Sequence, residues 1–433
     1  MATRSVTRLP YGVGQTSPSF FLLVAGLLAL VGWGIYAYTR QFTGGLSETG
    51  LRDFGTMGGA TWGLYIVVMV HFVGVSLVGI TLAVLIRLFN LEHLRPIARM
   101  AGALTVIALM LGGITVLVDL GQPGRGLVNL LRFARPGSPF FGTFSLVFTG
   151  YMFASVAYLF LDGRRDAALL AQRPGRLQAM YRLFAMGYHD TQEERDRHRR
   201  TTFWLALAIV LVVIAAMSTE GFVFGLQGAA AGWFSALQAP AFIILAGVSS
   251  IGHLIVIAWL ARHYLGLHDQ ITIRQFAWLG NFLWILVGIY LYLMVVELLT
   301  GLYQGHHHET RVTDALLTGD YAWLFWLTVG LLVVSFGILV AQFLFKRYSM
   351  LLIALVGLMV GTAGIGKRYL IVVPSQTHGR LLPYLEGSYT PSWVEISVIA
   401  GLMAFGALAL VLFFKVFPIM DVARSQDQNQ EGG

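Results

Sequence analysis

Two side chains in this sequence are poor choices for lipid and good ones for proton chemistry. His71 lies within the apolar run LYIVVMVHFVGVSLVGI, and Asp119 closes the next apolar run. About nine residues separate His71 from the start of its span, which at 1.5 Å per residue puts it roughly 14 Å below the membrane surface. Successive spans are antiparallel, so both groups fall in the same half of the membrane and can line one cavity. Ionisable groups at such depth are functional candidates by default. An imidazole and a carboxylate in a poorly solvated cavity can receive and pass on protons, because burial and mutual charge tune both. The structural alternative has His71 bonded to a neighbouring helix and Asp119 capping a loop arginine.

Other ionisable residues also fall within apolar runs. Glu297, Glu395, Lys367 and Arg368 lie near the same membrane face as Asp119, where mutual pairing would satisfy them. Otherwise they belong to a proton path. Glu220 either closes its span or joins such a path, and His253, near the middle of its own span, is either a packed, satisfied histidine or a further member of that path. His71 and His253 are the only deep histidines, and their depths counted along the helices differ by about 6 Å. Even one bis-histidine haem needs two imidazoles at matched depth. His306, His307 and His308 precede Glu309. Three successive residues cannot all face one metal from a helix, so this stretch reads as a solvated loop, and no metal site is expected.

The elements that must position these groups are membrane helices. Of 433 residues 57% are hydrophobic and only 12% are charged, against about 25% charged in a soluble domain. The 50 glycines suit helices that pack closely in lipid. The net charge of +8 is explained by loops on one side and does not indicate nucleic acid. With no Cys, the chain has no cysteine-ligated iron–sulfur cluster, c-type haem attachment or disulfide of its own. The basic N-terminus leads into a span-length run without an A-x-A site, so a retained span is expected rather than a cleaved signal.

A span needs about 20 apolar residues. Ten runs qualify: Ser19–Thr39, Thr61–Arg87, Ile97–Leu120, Pro139–Leu161, Thr201–Ser218, Pro240–Ala261, Ile273–Tyr303, Tyr321–Phe345, Tyr348–Val373 and Ser392–Phe417. The fold class expected is all-α integral membrane, one polytopic domain over 1–433 with a polar, disordered tail at 418–433. Ten spans put both termini on one side. That side holds 20 of the 29 Lys and Arg residues, which places both termini in the cytoplasm. The loop Asp119–Pro139 then faces outside. Pro123, Gly124 and Gly126 break the preceding helix, a short apolar segment follows at Leu127–Phe133, and the whole reads as a rigid, basic wall above a site. Its Arg125, Arg132 and Arg135 run against the positive-inside trend and suit a docked partner or an anion.

At these residues the chain resembles the NrfD/polysulfide-reductase membrane-subunit family. The motif is His71-Phe72-Val73 early in a span, then one span later Asp119 and a loop ending Pro136-Gly137-Ser138-Pro139. Lys367-Arg368-Tyr369-Leu370-Ile371-Val372-Val373-Pro374 and Ser388-Tyr389-Thr390-Pro391-Ser392-Trp393 look like its ten-span branch, which includes quinone-reactive hydrogenase subunits and the membrane subunits of alternative complex III. The resemblance implies two four-helix bundles, spans two to five (61–218) and six to nine (240–373), with spans one (19–39) and ten (392–417) peripheral. It also implies a quinone site, for menaquinone or ubiquinone, near the outer face of the first bundle. His71 and Asp119 would be its catalytic pair, with Arg125 beside them. Above it would dock a ferredoxin-like iron–sulfur subunit, itself joined to a molybdopterin-type or related large subunit. There are departures: Val68 stands where some members have Asn, and in the alternative-complex branch the histidine tends to lie nearer Ser76.

The expected function is therefore a quinone-binding membrane anchor of a prokaryotic oxidoreductase complex, in the cytoplasmic membrane. It would carry electrons between the quinone pool and the iron–sulfur partner, with proton translocation a further possibility. A quinol gives up two protons and two electrons; the chain offers proton acceptors but no metal ligands, so the electron acceptor belongs to a partner. The competing readings are a secondary transporter, which usually shows Gly/Pro-interrupted spans at the midplane, and a haem-bearing cytochrome b type anchor.

Overall fold

The computed structural model describes residues 13–14, 16–51, 60–133, 137, 143–173, 175, 177–228, 230–303, 307–378 and 387–419. Ten helices among them are long and apolar enough to cross a membrane, and no strand occurs among the described residues. The chain is thus an all-α, multi-pass integral membrane protein, as a medium without hydrogen-bonding solvent demands. The expected disordered tail lies, beyond residue 419, outside the described residues.

The spans are α1 (Pro18–Gly44), α2 with α3 (Leu64–Val75 and Val78–Leu88), α4 (Arg95–Asp119), α6 (Ser145–Ala171), α8 (Gln192–Gly225), α9 (Gln238–Tyr264), α10 (Ile273–Tyr303), α12 (Ala322–Phe345), α13 (Met350–Val372) and α15 (Trp393–Val416). Shorter helices connect them: α5 (Pro123–Phe133), α7 (Gln178–Ala185), α11 (His307–Leu317) and α14 (Pro374–Thr377). The start of α1 and the end of α15 meet on one face, where Gly14 N–H donates to Lys415 O at 3.0 Å. This is the terminal face; α5 and α11 lie on the opposite face, called here the α5 face.

Local sequence explains several boundaries. Thr191 and Glu194 form a capping box at the start of α8, and Ser392 and Glu395 do the same for α15. Pro123 does end α4's run, but as the first residue of a new helix, where its missing N–H costs nothing. Span two is interrupted at Ser76–Leu77, deep in the membrane, with no proline to cause it. The Ser76 carbonyl accepts instead from Tyr151 Oη at 2.7 Å and Thr105 Oγ1 at 2.6 Å. Inserted side chains of this kind are a recognised cause of kinks.

Packing contacts run α2/α3–α4–α6–α8 and back to α3, and α9–α10–α12–α13 and back to α9. Helix α9 also touches α2 and α8, so it joins the two groups. Helices α1 and α15 pack on each other so closely that a Cβ on Gly34 would meet Gly401 Cα at 2.8 Å, and together they lean on α4 through α15. On the terminal face Arg99 ties the chain together. It bonds Asp166 at 2.6 Å, Asp162 at 3.2 Å and the Pro418 carbonyl at 2.8 Å.

Candidate functional site

The centre of the site is Arg368 on α13, which is 1% exposed. Its Nη1 donates to Ser249 Oγ at 3.0 Å and to Gly364 O at 3.2 Å, and approaches His71 Nδ1 at 3.4 Å. Two glycines make the room. A Cβ on Gly74 would strike Arg368 Nη2, and one on Gly364 would strike Ser249 Oγ. His253 lies on the other side of His71. Their rings meet edge to face with centroids 5.0 Å apart, and His253 Nδ1 bonds Ser249 O at 2.8 Å. Counting along the chain set these histidines at different depths. The rings meet even so, side chain to side chain between α2 and α9.

These contacts assign tautomers. The guanidinium is always a donor, so His71 Nδ1 accepts and its Nε2 carries the proton. That Nε2 is buried without a hydrogen-bond partner among the described residues, as are Glu220 Oε1 and Arg368 Nε. His253 is the reverse: Nδ1 donates to a carbonyl, leaving Nε2 an acceptor. Glu220 on α8 is close enough to Arg368 to act on its charge, as is the buried Tyr290 of α10. Helix α8 runs on to Gly225, so Glu220 sits inside the span rather than closing it.

Glu220 also lines a narrow cavity with Trp62, Ile66, Met69, Val70, Phe144, Val223 and Phe224. His71 is not among its walls, although Met69 and Val70 of the same helix are. Trp62 stacks on Trp233 with centroids 5.6 Å apart and meets Phe224 edge to face, which roofs the cavity with aromatic rings. Trp62 is fixed there because Gln376 bonds both its N–H and its carbonyl, at 2.9 and 2.8 Å.

The remaining predicted residues are placed as follows. Gly112 of α4 is level with Met69 to Val73. Asp119 lies seven residues further along α4, about 10 Å nearer the α5 face, and is not brought against His71. It sits near Tyr65, whose hydroxyl donates to Gln41, which in turn donates to the Val118 carbonyl. Lys367 and Glu297 pair at 2.8 Å. They line a second cavity, about 370 Å³, with Glu309, Thr313 and Ser375 near the α5 face. Glu395 is fully buried and committed to structure: it accepts from Gly50 N, Ser392 N and Tyr389 Oη at 2.7, 2.9 and 2.6 Å. Burial, reinforced by the Glu395 charge, pushes the Tyr389 phenol above its usual range, so it remains a donor. Arg125 and Arg132 are exposed on α5; Arg135 and His306 lie outside the described residues. No group of three potential metal ligands occurs among the described residues.

Reading the sequence for charge missed the uncharged partners: Gly74, Ser249, Trp62 and Phe224. One signal was present. Gly357, Gly361 and Gly364 form a stripe on the face of α13 that ends in Arg368, and Gly357 and Gly252 pack backbone to backbone across α9.

Ten spans around a buried cluster of ionisable groups define a polytopic membrane protein with a polar centre. Residues 54–378 match the family described as Polysulphide reductase, NrfD, and the chain belongs to that family. It is 30% identical to a putative dimethyl sulfoxide reductase membrane subunit of Halobacterium salinarum, over 95% of this chain and 94% of that one. It is 26% identical to a selenate reductase subunit of Mesobacillus selenatarsenatis, over 94% and 96%. It is 22% identical to the Hdr-like menaquinol oxidoreductase integral membrane subunit of Archaeoglobus fulgidus, over 93% and 94%.

Proposed function

We propose that this chain is the quinone-reactive membrane subunit of a respiratory oxidoreductase complex. It exchanges electrons between the quinone pool and an extracytoplasmic iron–sulfur subunit, which serves a molybdopterin-type catalytic subunit. The α5 face is external and both termini are cytoplasmic. The relatives differ in the terminal substrate their names give, and one name specifies menaquinol; a quinone site is what such subunits can share. The observation that carries this reading is the set of buried, unpartnered polar atoms on His71 and Glu220 around one guanidinium, beside an aromatic-walled cavity.

In this reading the quinone headgroup enters beneath the Trp62–Phe224 contact and faces Glu220, the narrow cavity widening to admit it. Glu220 takes a proton from a quinol hydroxyl, and Arg368 holds the carboxylate's charge and keeps the His71–His253 pair in fixed tautomers. His71 Nε2–H and the free His253 Nε2 then supply one donor and one acceptor at the junction of the helix groups. Asp119 and Arg125 stand nearer the α5 face, at the entrance and below the docked partner. Tyr290, Met294 and Glu297 share one face of α10, so protons leave by Tyr290 and the Lys367–Glu297 cavity. A haem between His71 and His253 does not fit, because their rings touch edge to face with no plane free between them. The break in span two is a transporter-like feature, but its freed carbonyl is capped by Tyr151 and Thr105 rather than offered to an ion.

Binding of a short-chain naphthoquinone, followed by tryptophan quenching, tests the placement. Quenching should be lost largely in Trp62→Phe and weakened in Glu220→Gln. Equal quenching in wild type and Trp62→Phe would move the pocket elsewhere.

A further inference from the structure

A separate crevice runs along the seam between the helix groups. It is about 270 Å³ and is lined by α3 (Leu77 to Leu85), α8 (Val210 to Ile214), α9 (Ile243 to Ile251) and α10 (Trp278 to Leu286). Helix α9 contacts the other three and forms its floor. Its polar residues make no demand on a ligand: Thr81 Oγ1 donates to Leu77 O and Ser250 Oγ to Gly247 O, each within its own helix. Water needs two to four polar partners to occupy such a space, so the natural filling is hydrocarbon. At roughly 30 Å³ per water-sized unit, the volume takes about nine such units, a substantial part of one acyl chain.

The mouth at the terminal face is different. A 3₁₀ turn, Glu92–Leu94, follows α3 and contacts the start of α10. Arg274 stands there, exposed and without an ion-pair partner among the described residues, one helical turn before Trp278 on the same side of α10. His93 is close enough for Arg274 to act on it. The nearby Glu92 is already taken by Arg95 at 2.7 Å, and Arg87 is turned away toward the Thr202 carbonyl. A cation and an imidazole therefore stand close together on the two segments that continue the groove's walls toward the terminal face, one helical turn beyond a lining tryptophan of the kind that sits at membrane interfaces.

We infer that this crevice holds one acyl chain of an anionic phospholipid of the terminal-face leaflet, with the lipid phosphate between Arg274 and His93. The lipid fills the seam between α10 and α3. The inference is independent of what the quinone-facing cluster does, since no residue is shared.

The test uses the purified complex, delipidated in detergent and titrated with phosphatidylglycerol or phosphatidylcholine while the melting temperature is followed. Phosphatidylglycerol should raise it by about 2–4 °C more than phosphatidylcholine. Arg274→Glu should erase the difference between the lipids. Ile214→Trp, which plugs the crevice from its exposed rim, should erase the response to both. An equal response to both lipids in wild type, or a preserved preference in Arg274→Glu, would overturn the headgroup site. Displacement of bound phosphatidylglycerol by a long-chain isoprenoid quinone would overturn the assignment of the groove to a phospholipid.

Discussion

Arg368 organises this protein at the scale of single residues, because a guanidinium in the membrane interior needs partners and here finds His71 and Ser249, with Glu220 near enough to act on its charge. Its room is specific. Gly74→Ala puts a methyl group into the guanidinium's place, and should lower quinol-linked turnover at least about tenfold while the complex still assembles. Turnover on preparations matched for the amount of assembled complex is the measurement; unchanged turnover would show that the arginine's position is immaterial. Its neighbour in sequence has another fate. Lys367 points to the cavity it shares with Glu297, since adjacent residues on a helix are set about 100° apart. Of the ionisable residues singled out from sequence, His71, His253, Glu220 and Arg368 converge. That they lie within apolar runs was legible, because charge there is conspicuous; their relative depth was not. Their convergence was not, because it depends on helix register, which no single span encodes.

Among the elements, span two is the informative one. It carries His71 on its first half and one wall of the lipid crevice on its second, and the break at Ser76–Leu77 separates the two. Removing the side chains that hold this break, in Tyr151→Phe with Thr105→Val, leaves a buried carbonyl without them. That should destabilise the protein by about 1–3 kcal/mol per lost partner, read as a lower midpoint of thermal unfolding; an unchanged midpoint would mean that the break sustains itself. The break was invisible in the sequence because Val75-Ser76-Leu77-Val78 contains neither proline nor glycine, and its cause lies on α4 and α6. By contrast the ten spans were readable from hydropathy alone, and the end of α4 from Pro123. That the short apolar segment Leu127–Phe133 belongs to a helix follows from Pro123 serving as a helix start. Helices α1 and α15 meet through Gly34 and Gly401, so Gly401→Leu should force them apart. Crosslinking between cysteines placed on the two helices measures this, and undiminished crosslinking would refute it.

At the scale of the whole molecule, function depends on orientation and docking. In this Cys-free chain a single cysteine at Val128, exposed on α5, should react with an impermeant reagent from outside. One at exposed Gln172 should react only from within. The opposite pattern would invert the topology and with it the side of the electron acceptor. Charge reversal at Arg125 and Arg132 should release the iron–sulfur partner and leave the membrane chain folded, because both residues are exposed; a complex that stays intact would place the interface elsewhere. The central claim is that Glu220 and His71 serve quinol oxidation from within the membrane while the partners hold the remaining chemistry. It is tested most directly by assaying quinol-linked turnover and dye-linked turnover on the same preparations of wild type, Glu220→Gln and His71→Ala. Both variants should lose about 10²-fold or more of the quinol-linked rate and keep the dye-linked rate, which bypasses the membrane step. Near-normal quinol turnover in both would contradict the account.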